Sequence, residues 1–81
     1  PFNPVTLIQY QVPKKSHIQI MVYDILGREI KTLISEAKDA GRFTVKWDGT
    51  TDMGESVGSG VYIYQLVSQE YISTKKMIFI K

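Results

Sequence analysis

Apolar and polar residues alternate along several short stretches of this chain. Between residues 42 and 47 the apolar positions are Phe43, Val45 and Trp47, and each residue between them is polar. The same period of two recurs over residues 5–12 and 17–24. Alternation of this kind is typical of a strand with one face on a core and the other in water. These three stretches are therefore predicted to be β-strands.

Two later stretches complete the predicted set of strands. Gly60–Val67 carries apolar residues on both faces, which predicts a central strand of a sheet. Residues 71–80 begin polar and end apolar, and they form the predicted last strand. Turn-forming residues separate the strands at about the 8–12-residue spacing of sandwiches and barrels. We therefore expect six or seven strands in an antiparallel β-sandwich.

Residues 28–41 carry a mixed signal. Ile30, Leu33, Ile34 and Ala37 have the spacing of one helix face, and Gly41 could end that helix. The surrounding strands favour the other interpretation. We predict a strand over residues 28–34 and a loop over residues 35–41.

The connection after Trp47 is polar and contains glycine. Gly49 and Gly54 are predicted to have positive φ, as in tight turns. The side chains of Asp48, Asp52 and Glu55 could bind calcium, although their spacing differs from an EF-hand loop. The favoured alternative is that Asp and Thr side chains cap this bend by accepting hydrogen bonds from nearby amides.

The amino-acid composition excludes several kinds of functional site. The 81 residues suffice for one domain, and the absence of cysteine excludes disulfides, thiolate metal sites and thiol catalysis. The single histidine, His17, follows Ser16 in a predicted strand, so the two side chains point to opposite faces and form no nucleophile–base pair. The net charge of +2 is spread along the chain, and no apolar run is long enough to span a membrane. We expect no enzymatic activity, no cofactor and no nucleic-acid partner.

The aromatic residues have two interpretations. They could form a sugar-stacking platform if several shared an exposed face, but most occupy inward-facing positions, which favours core packing. Met21 and Tyr23 are predicted to point outward, where they would form a small apolar patch only if no second sheet or partner covered them. The candidate platform consists of Tyr10, Tyr23, Trp47, Tyr62, Tyr64, Tyr71 and Phe79.

Five segments in a fixed order carry a resemblance to a known family. They are Asn3-Pro4, VYDILGREI (22–30), AGRFTVKWDG (40–49), GESVGSGVYIY (54–64) and KMIFIK (76–81). In this order they resemble the C-terminal sorting domain of the bacterial type IX (Por) secretion system. They are also similar to the Ig-like domain of the flagellar hook-capping protein. The resemblance implies an all-β, antiparallel, Ig-like β-sandwich of about seven strands over residues 1–81.

The resemblance also implies a function. Such a domain is attached to an N-terminal passenger domain of a larger protein, is recognised by the outer-membrane translocation machinery, and is commonly removed by a sortase-like protease. The protein would reach the surface of a Gram-negative bacterium through the periplasm and outer membrane, and residues 1–4 would end a linker. The recognition residues implied are Gly60, Tyr62, Lys76, Ile80 and Lys81.

Other interpretations remain open. Gly60 could instead lie in a turn or bulge and Tyr62 in the core, which is the favoured alternative for these two residues. The chain could also be a structural accessory or self-associating module of a secreted enzyme, or a carbohydrate-binding module.

Overall fold

The computed structural model describes residues 5–81, and the predicted end of a linker at residues 1–4 lies outside the described residues. The described chain forms six strands and no helix, so it contains no helix that could cross a membrane. The strands are β1 (Thr6–Val12), β2 (Ser16–Asp24), β3 (Glu29–Lys38), β4 (Gly41–Trp47), β5 (Gly60–Val67) and β6 (Ile72–Phe79).

The strands form two antiparallel sheets. One contains β1 and β4, and the other has the order β3-β2-β5-β6. The predicted antiparallel sandwich is confirmed, with six strands over residues 5–81 where about seven were expected. The prediction that β5 is a central strand is also correct, because it pairs with β2 on one side and β6 on the other.

The core lies between the two sheets, because the alternating apolar residues of both turn toward each other. Trp47 is completely buried at the centre of an aromatic cluster. Its ring centroid lies 5.0 Å from that of Tyr62, edge to face, and 4.9 Å from that of Phe79. Each such pair contributes about 0.5–1.5 kcal/mol beyond the burial of its area. The largest aromatic side chains therefore fix how β4, β5 and β6 pack together.

The strand predicted over residues 28–34 is confirmed, but the loop predicted over residues 35–41 is wrong, because residues 35–38 continue the strand. β3 is one continuous strand to Lys38. The register with β2 shifts twice, so that Ile30 and Leu33 have no direct partner. Such bulges interrupt the period of two and place neighbouring residues such as Leu33 and Ile34 on the same side. This interruption explains why the segment imitates the spacing of a helix.

The exposed apolar patch predicted at Met21 and Tyr23 is not found. Met21 is buried, and its sulfur accepts a hydrogen bond from the Thr32 hydroxyl at 2.9 Å. The extra residue at the register shift next to Met21 is Leu33 of β3, whereas β2 keeps an unbroken register with β5 from Gln19 to Asp24. Met21 therefore still lies on the face opposite to Ile20 and Val22, and it is covered there. Met21 and Tyr23 therefore do not form an exposed apolar patch.

The turn after β2 is held by the Asp24 carboxylate. Its Oδ1 accepts hydrogen bonds from the amides of Leu26 and Arg28, both at 2.9 Å, and its Oδ2 accepts one from Arg28 Nε at 2.7 Å. These bonds, led by that from the Arg28 amide, lower the pKa of Asp24 and outweigh the opposing effect of burial. The folded state therefore favours the ionised carboxylate.

We expect Asp24 to make the domain more stable at neutral than at acidic pH. Its pKa is lower in the folded than in the unfolded state, so the stabilisation is present above the ordinary carboxyl pKa and is lost as the pH falls below it. Urea unfolding at about pH 6 and about pH 2.5 should show a large difference between the native chain and Asp24→Asn only at the higher pH. Asp39→Asn, at an exposed position, is the matched control. An equal difference for Asp24→Asn at both pH values would contradict this prediction.

Candidate functional site

The residues implied in recognition meet at one edge of the larger sheet. β6 is the last strand of that sheet, and its register with β5 pairs Gly60 with Phe79, Tyr62 with Met77 and Ile63 with Lys76. Two segments that are separate in the sequence, residues 60–62 and 76–81, therefore lie side by side. We call this region the β5–β6 edge.

An exposed strip runs along the outer face of the β5–β6 edge. Ile78 is 68% exposed and pairs with the half-buried Val61, and Lys76 is exposed beside the half-buried Ile63. Ile80 follows the end of β6 and is 71% exposed. We call these five residues the outer strip. It combines the exposed cation of Lys76 with two exposed isoleucines, Ile78 and Ile80, and two half-buried apolar residues.

Gly60 and Tyr62 have different environments. Tyr62 lies in the core, as its structural alternative predicted, and its hydroxyl donates a hydrogen bond to the Gly58 carbonyl at 2.7 Å. Gly60 starts β5 in regular register and has no positive φ, so its predicted turn or bulge is not found. A Cβ added at Gly60 would meet no atom within 4 Å beyond its chain neighbours. Another backbone could therefore approach the chain closely at this point.

Lys81 lies beside the segment that leads into β5. Its amide donates a hydrogen bond to the Ser59 hydroxyl at 2.9 Å, and its side chain is exposed. This bond ties residue 81 to the segment that leads into Gly60. The β5–β6 edge thus brings together all five residues implied by the resemblance, four at the surface or strand end and Tyr62 in the core.

The bend after β4 does not gather its carboxylates. Asp48 accepts hydrogen bonds from the Thr50 hydroxyl at 2.6 Å and the Thr50 amide at 3.2 Å, and the hydroxyl bond is the main reason for its lowered pKa. Asp52 accepts one from the Thr32 amide at 3.0 Å, and the Glu55 side chain is exposed. Residues 5–81 contain no group of three or more His, Asp or Glu side chains placed to hold a metal. The geometry matches the capping alternative.

A second feature, which sequence reasoning missed, is a groove of about 560 Å³ between the two sheets. The smaller sheet has two strands and the larger four, so part of the larger sheet's inner face stays uncovered. The groove is lined by four aromatic residues, Tyr10, Phe43, Tyr64 and Tyr71, and by the cations Arg42 and Lys75. We call it the inter-sheet groove. The polar first half of β6 is the sequence signal for it, since Ser73 and Lys75 suit an uncovered face.

The aromatic side chains of the inter-sheet groove are partly held in place. Tyr10 stacks on Phe43 with ring centroids 5.5 Å apart, and the Tyr71 hydroxyl donates to the Gln11 carbonyl at 3.0 Å. Burial raises the pKa of Tyr10, against a smaller opposing effect of Lys38, so its hydroxyl stays protonated at neutral pH. Tyr10, Phe43 and Tyr71 are thus held in position along the groove.

Comparisons with known proteins agree on the fold. A family model described as the FlgD Ig-like domain matches residues 4–70, which leaves β6 outside the match. The crystal structure of FlgD from P. aeruginosa is similar over 95% of this chain and 60% of that chain, at 20% identity and a TM-score of 0.75. Dimeric latent PorU from Porphyromonas gingivalis is similar over 99% of this chain and 10% of that chain, at 20% identity and a TM-score of 0.66. No curated protein sequence matches the chain significantly.

Proposed function

Because the chain belongs to the family of FlgD Ig-like domains, we propose that it is a non-catalytic β-sandwich that binds other proteins through its β5–β6 edge. More specifically, it serves as the C-terminal sorting domain of a larger protein that a Gram-negative bacterium exports by type IX secretion. Its partners are the outer-membrane translocation machinery, a sortase-like protease and an N-terminal passenger domain. The mature protein is secreted or held at the cell surface.

The register of β5 and β6 is the observation that carries this proposal. The resemblance to sorting domains singled out residues 60–62 and residues 76–81 independently of any pairing. In the structure Gly60 lies opposite Phe79, and Lys76 lies opposite Ile63. A single partner surface could therefore contact both segments at once. The similarity of the fold to a segment of PorU also supports a Por-related role.

The chemistry of the β5–β6 edge suits recognition by strand addition. β6 has β5 on one side only, so its other edge carries backbone groups without a strand partner in the described chain. The outer strip adds apolar contacts and the charge of Lys76, and the open space at Gly60 admits a partner backbone. Tyr62 has a positioning role here, because its buried ring packs on Trp47 and fixes β5.

Export of a fusion protein tests this function. We expect a periplasmic passenger carrying the 81-residue chain at its C-terminus to reach the surface of a bacterium that has the type IX machinery. A variant with Lys76→Gln and Ile80→Thr should lower the surface fraction by about tenfold, because about 1.4 kcal/mol of binding free energy is lost. Point variants are preferable to deletion of residues 76–81, because Phe79 belongs to the core.

The matched control likewise changes one lysine and one exposed aliphatic residue, on the other sheet. Leu7 is exposed and pairs with the exposed Lys46 across β1 and β4. The variant with Leu7→Thr and Lys46→Gln should leave export unchanged, and circular dichroism should show both variants folded. Normal export of the Lys76/Ile80 variant would rule out the β5–β6 edge as the sorting signal.

Self-association is a second candidate function, because the outer strip exposes two isoleucines next to a free strand edge. In that case the chain would be a structural accessory module, and sedimentation would show a dimer that the Lys76/Ile80 variant disrupts. Export of the fusion would then be unaffected by the same variant.

A further inference from the structure

We propose that the inter-sheet groove binds an extended acidic segment of a partner protein, which adds as a strand beside β1. This site is separate from the β5–β6 edge, and the inference does not depend on a role in secretion. It rests on the free edge of β1, the unpaired charge in the groove and the shape of the uncovered space.

The backbone of β1 supplies the first part of the argument. β1 pairs with β4 on one side only, and its residues 9–11 line the groove. The Tyr71 hydroxyl reaches the Gln11 carbonyl from the side of the larger sheet. The free edge of β1 therefore faces the groove, and its Gln11 carbonyl already accepts a bond from Tyr71, so an added strand would use the rest of that edge. An extended peptide could pair with it, as in other complexes formed by strand addition.

The charge of the groove supplies the second part. Arg42 and Lys75 line it, and no aspartate or glutamate among residues 5–81 does. The ion pairs found in the same part of the chain engage other cations, namely Lys14, Arg28, Lys31 and Lys38. Two cations without a carboxylate partner in the described chain favour an anionic occupant over a basic or neutral one.

The size and lining of the groove point to a peptide. Its volume of about 560 Å³ lies within the range of sites that enclose a ligand. Lys75 pairs with Tyr64 across β6 and β5, so it shares the wall that Tyr64 and Leu66 form. Arg42 alternates with Phe43 along β4 and lies on the other face of that strand. A strand in the groove would therefore meet an apolar surface and a cation on one side and the second cation on the other. A segment that contains both acidic and apolar residues fits this lining.

Titration of the 81-residue chain with defined peptides tests this inference. The probe is a blocked peptide of alternating glutamate and valine, followed by NMR chemical shifts. We expect saturable binding that perturbs the amides of residues 9–11 and 73–75 and weakens as salt increases. The double variant Arg42→Gln, Lys75→Gln should weaken binding by about tenfold, since each partly exposed ion pair contributes modestly. Lys46→Gln, outside the groove, should change it by less than about twofold.

Two further probes separate the parts of the proposal. The alternating lysine–valine peptide should not bind, and a backbone N-methylated form of the acidic peptide should bind much more weakly because it cannot donate to β1. Equal binding of the N-methylated peptide would overturn strand addition. Binding of an oligogalacturonate in place of the acidic peptide would assign the groove to an acidic saccharide and overturn the proposal. A dimer of the chain that closes the groove would do the same.

Discussion

Replacing Phe79 with alanine is expected to lower the free energy of unfolding by about 3–5 kcal/mol. The ring is 2% exposed and packs 4.9 Å from the centroid of Trp47 and 6.4 Å from that of Tyr62. Its removal leaves a cavity among rigid aromatic neighbours that cannot collapse to fill it. A domain of this size has only about 5–10 kcal/mol of stability, so much of it would be lost. Urea unfolding followed by the fluorescence of Trp47, the single tryptophan, measures the change.

The adjacent residue provides the control. Ile78 belongs to the same strand but is 68% exposed, so Ile78→Ala should change stability by no more than about 0.5 kcal/mol. Similar losses for the two variants would contradict the orientation of β6. The contrast also matters for function. Loss of Phe79 would impair export by unfolding the domain, whereas loss of Lys76 or Ile80 acts on a folded domain.

Strand positions followed from the sequence wherever a strand has one wet face. The alternation around Val45 and Trp47 predicted β4 to within one residue, because its outer face lies in water along its whole length. β3 was harder to predict. Its bulges at Ile30 and Leu33 arise from pairing with β2. The pattern of apolar and polar residues within β3 alone does not determine how β3 aligns with another strand.

The candidate site likewise depends on strand pairing that the local sequence pattern does not reveal. The residues of the β5–β6 edge could be named from a resemblance, but their proximity depends on the register of Gly60 against Phe79. The inter-sheet groove was missed because it results from two strands facing four, and the division of strands between sheets is a tertiary property. Tyr64 and Tyr71 belong to the aromatic residues for which core packing was favoured; both pack against the core but stay only partly buried, at the groove wall.

Gly49→Ala is the second substitution for which we expect a large effect, a loss of about 2–4 kcal/mol. As predicted, Gly49 and Gly54 both have positive φ, at 77° and 83°. Either alanine must therefore adopt a left-handed conformation, at a cost of about 1–2 kcal/mol. At Gly49 there is a second cost. A Cβ there would lie 2.2 Å from Cζ of Phe79, and that ring is confined by Trp47. At Gly54 nothing lies within 4 Å, so Gly54→Ala isolates the conformational cost.

Combining the two substitutions separates the clash from the backbone strain. In a chain that already carries Phe79→Ala the ring is absent, so adding Gly49→Ala should cost only the roughly 1–2 kcal/mol seen at Gly54. The double variant should therefore be more stable than the sum of the single losses predicts. Strict additivity in urea unfolding would mean that the two residues do not touch. In that case the contact between Gly49 and Phe79 would not contribute to the packing of the bend after β4 against the end of β6. A coupling of about 1–2 kcal/mol would show that this glycine serves packing as well as the turn.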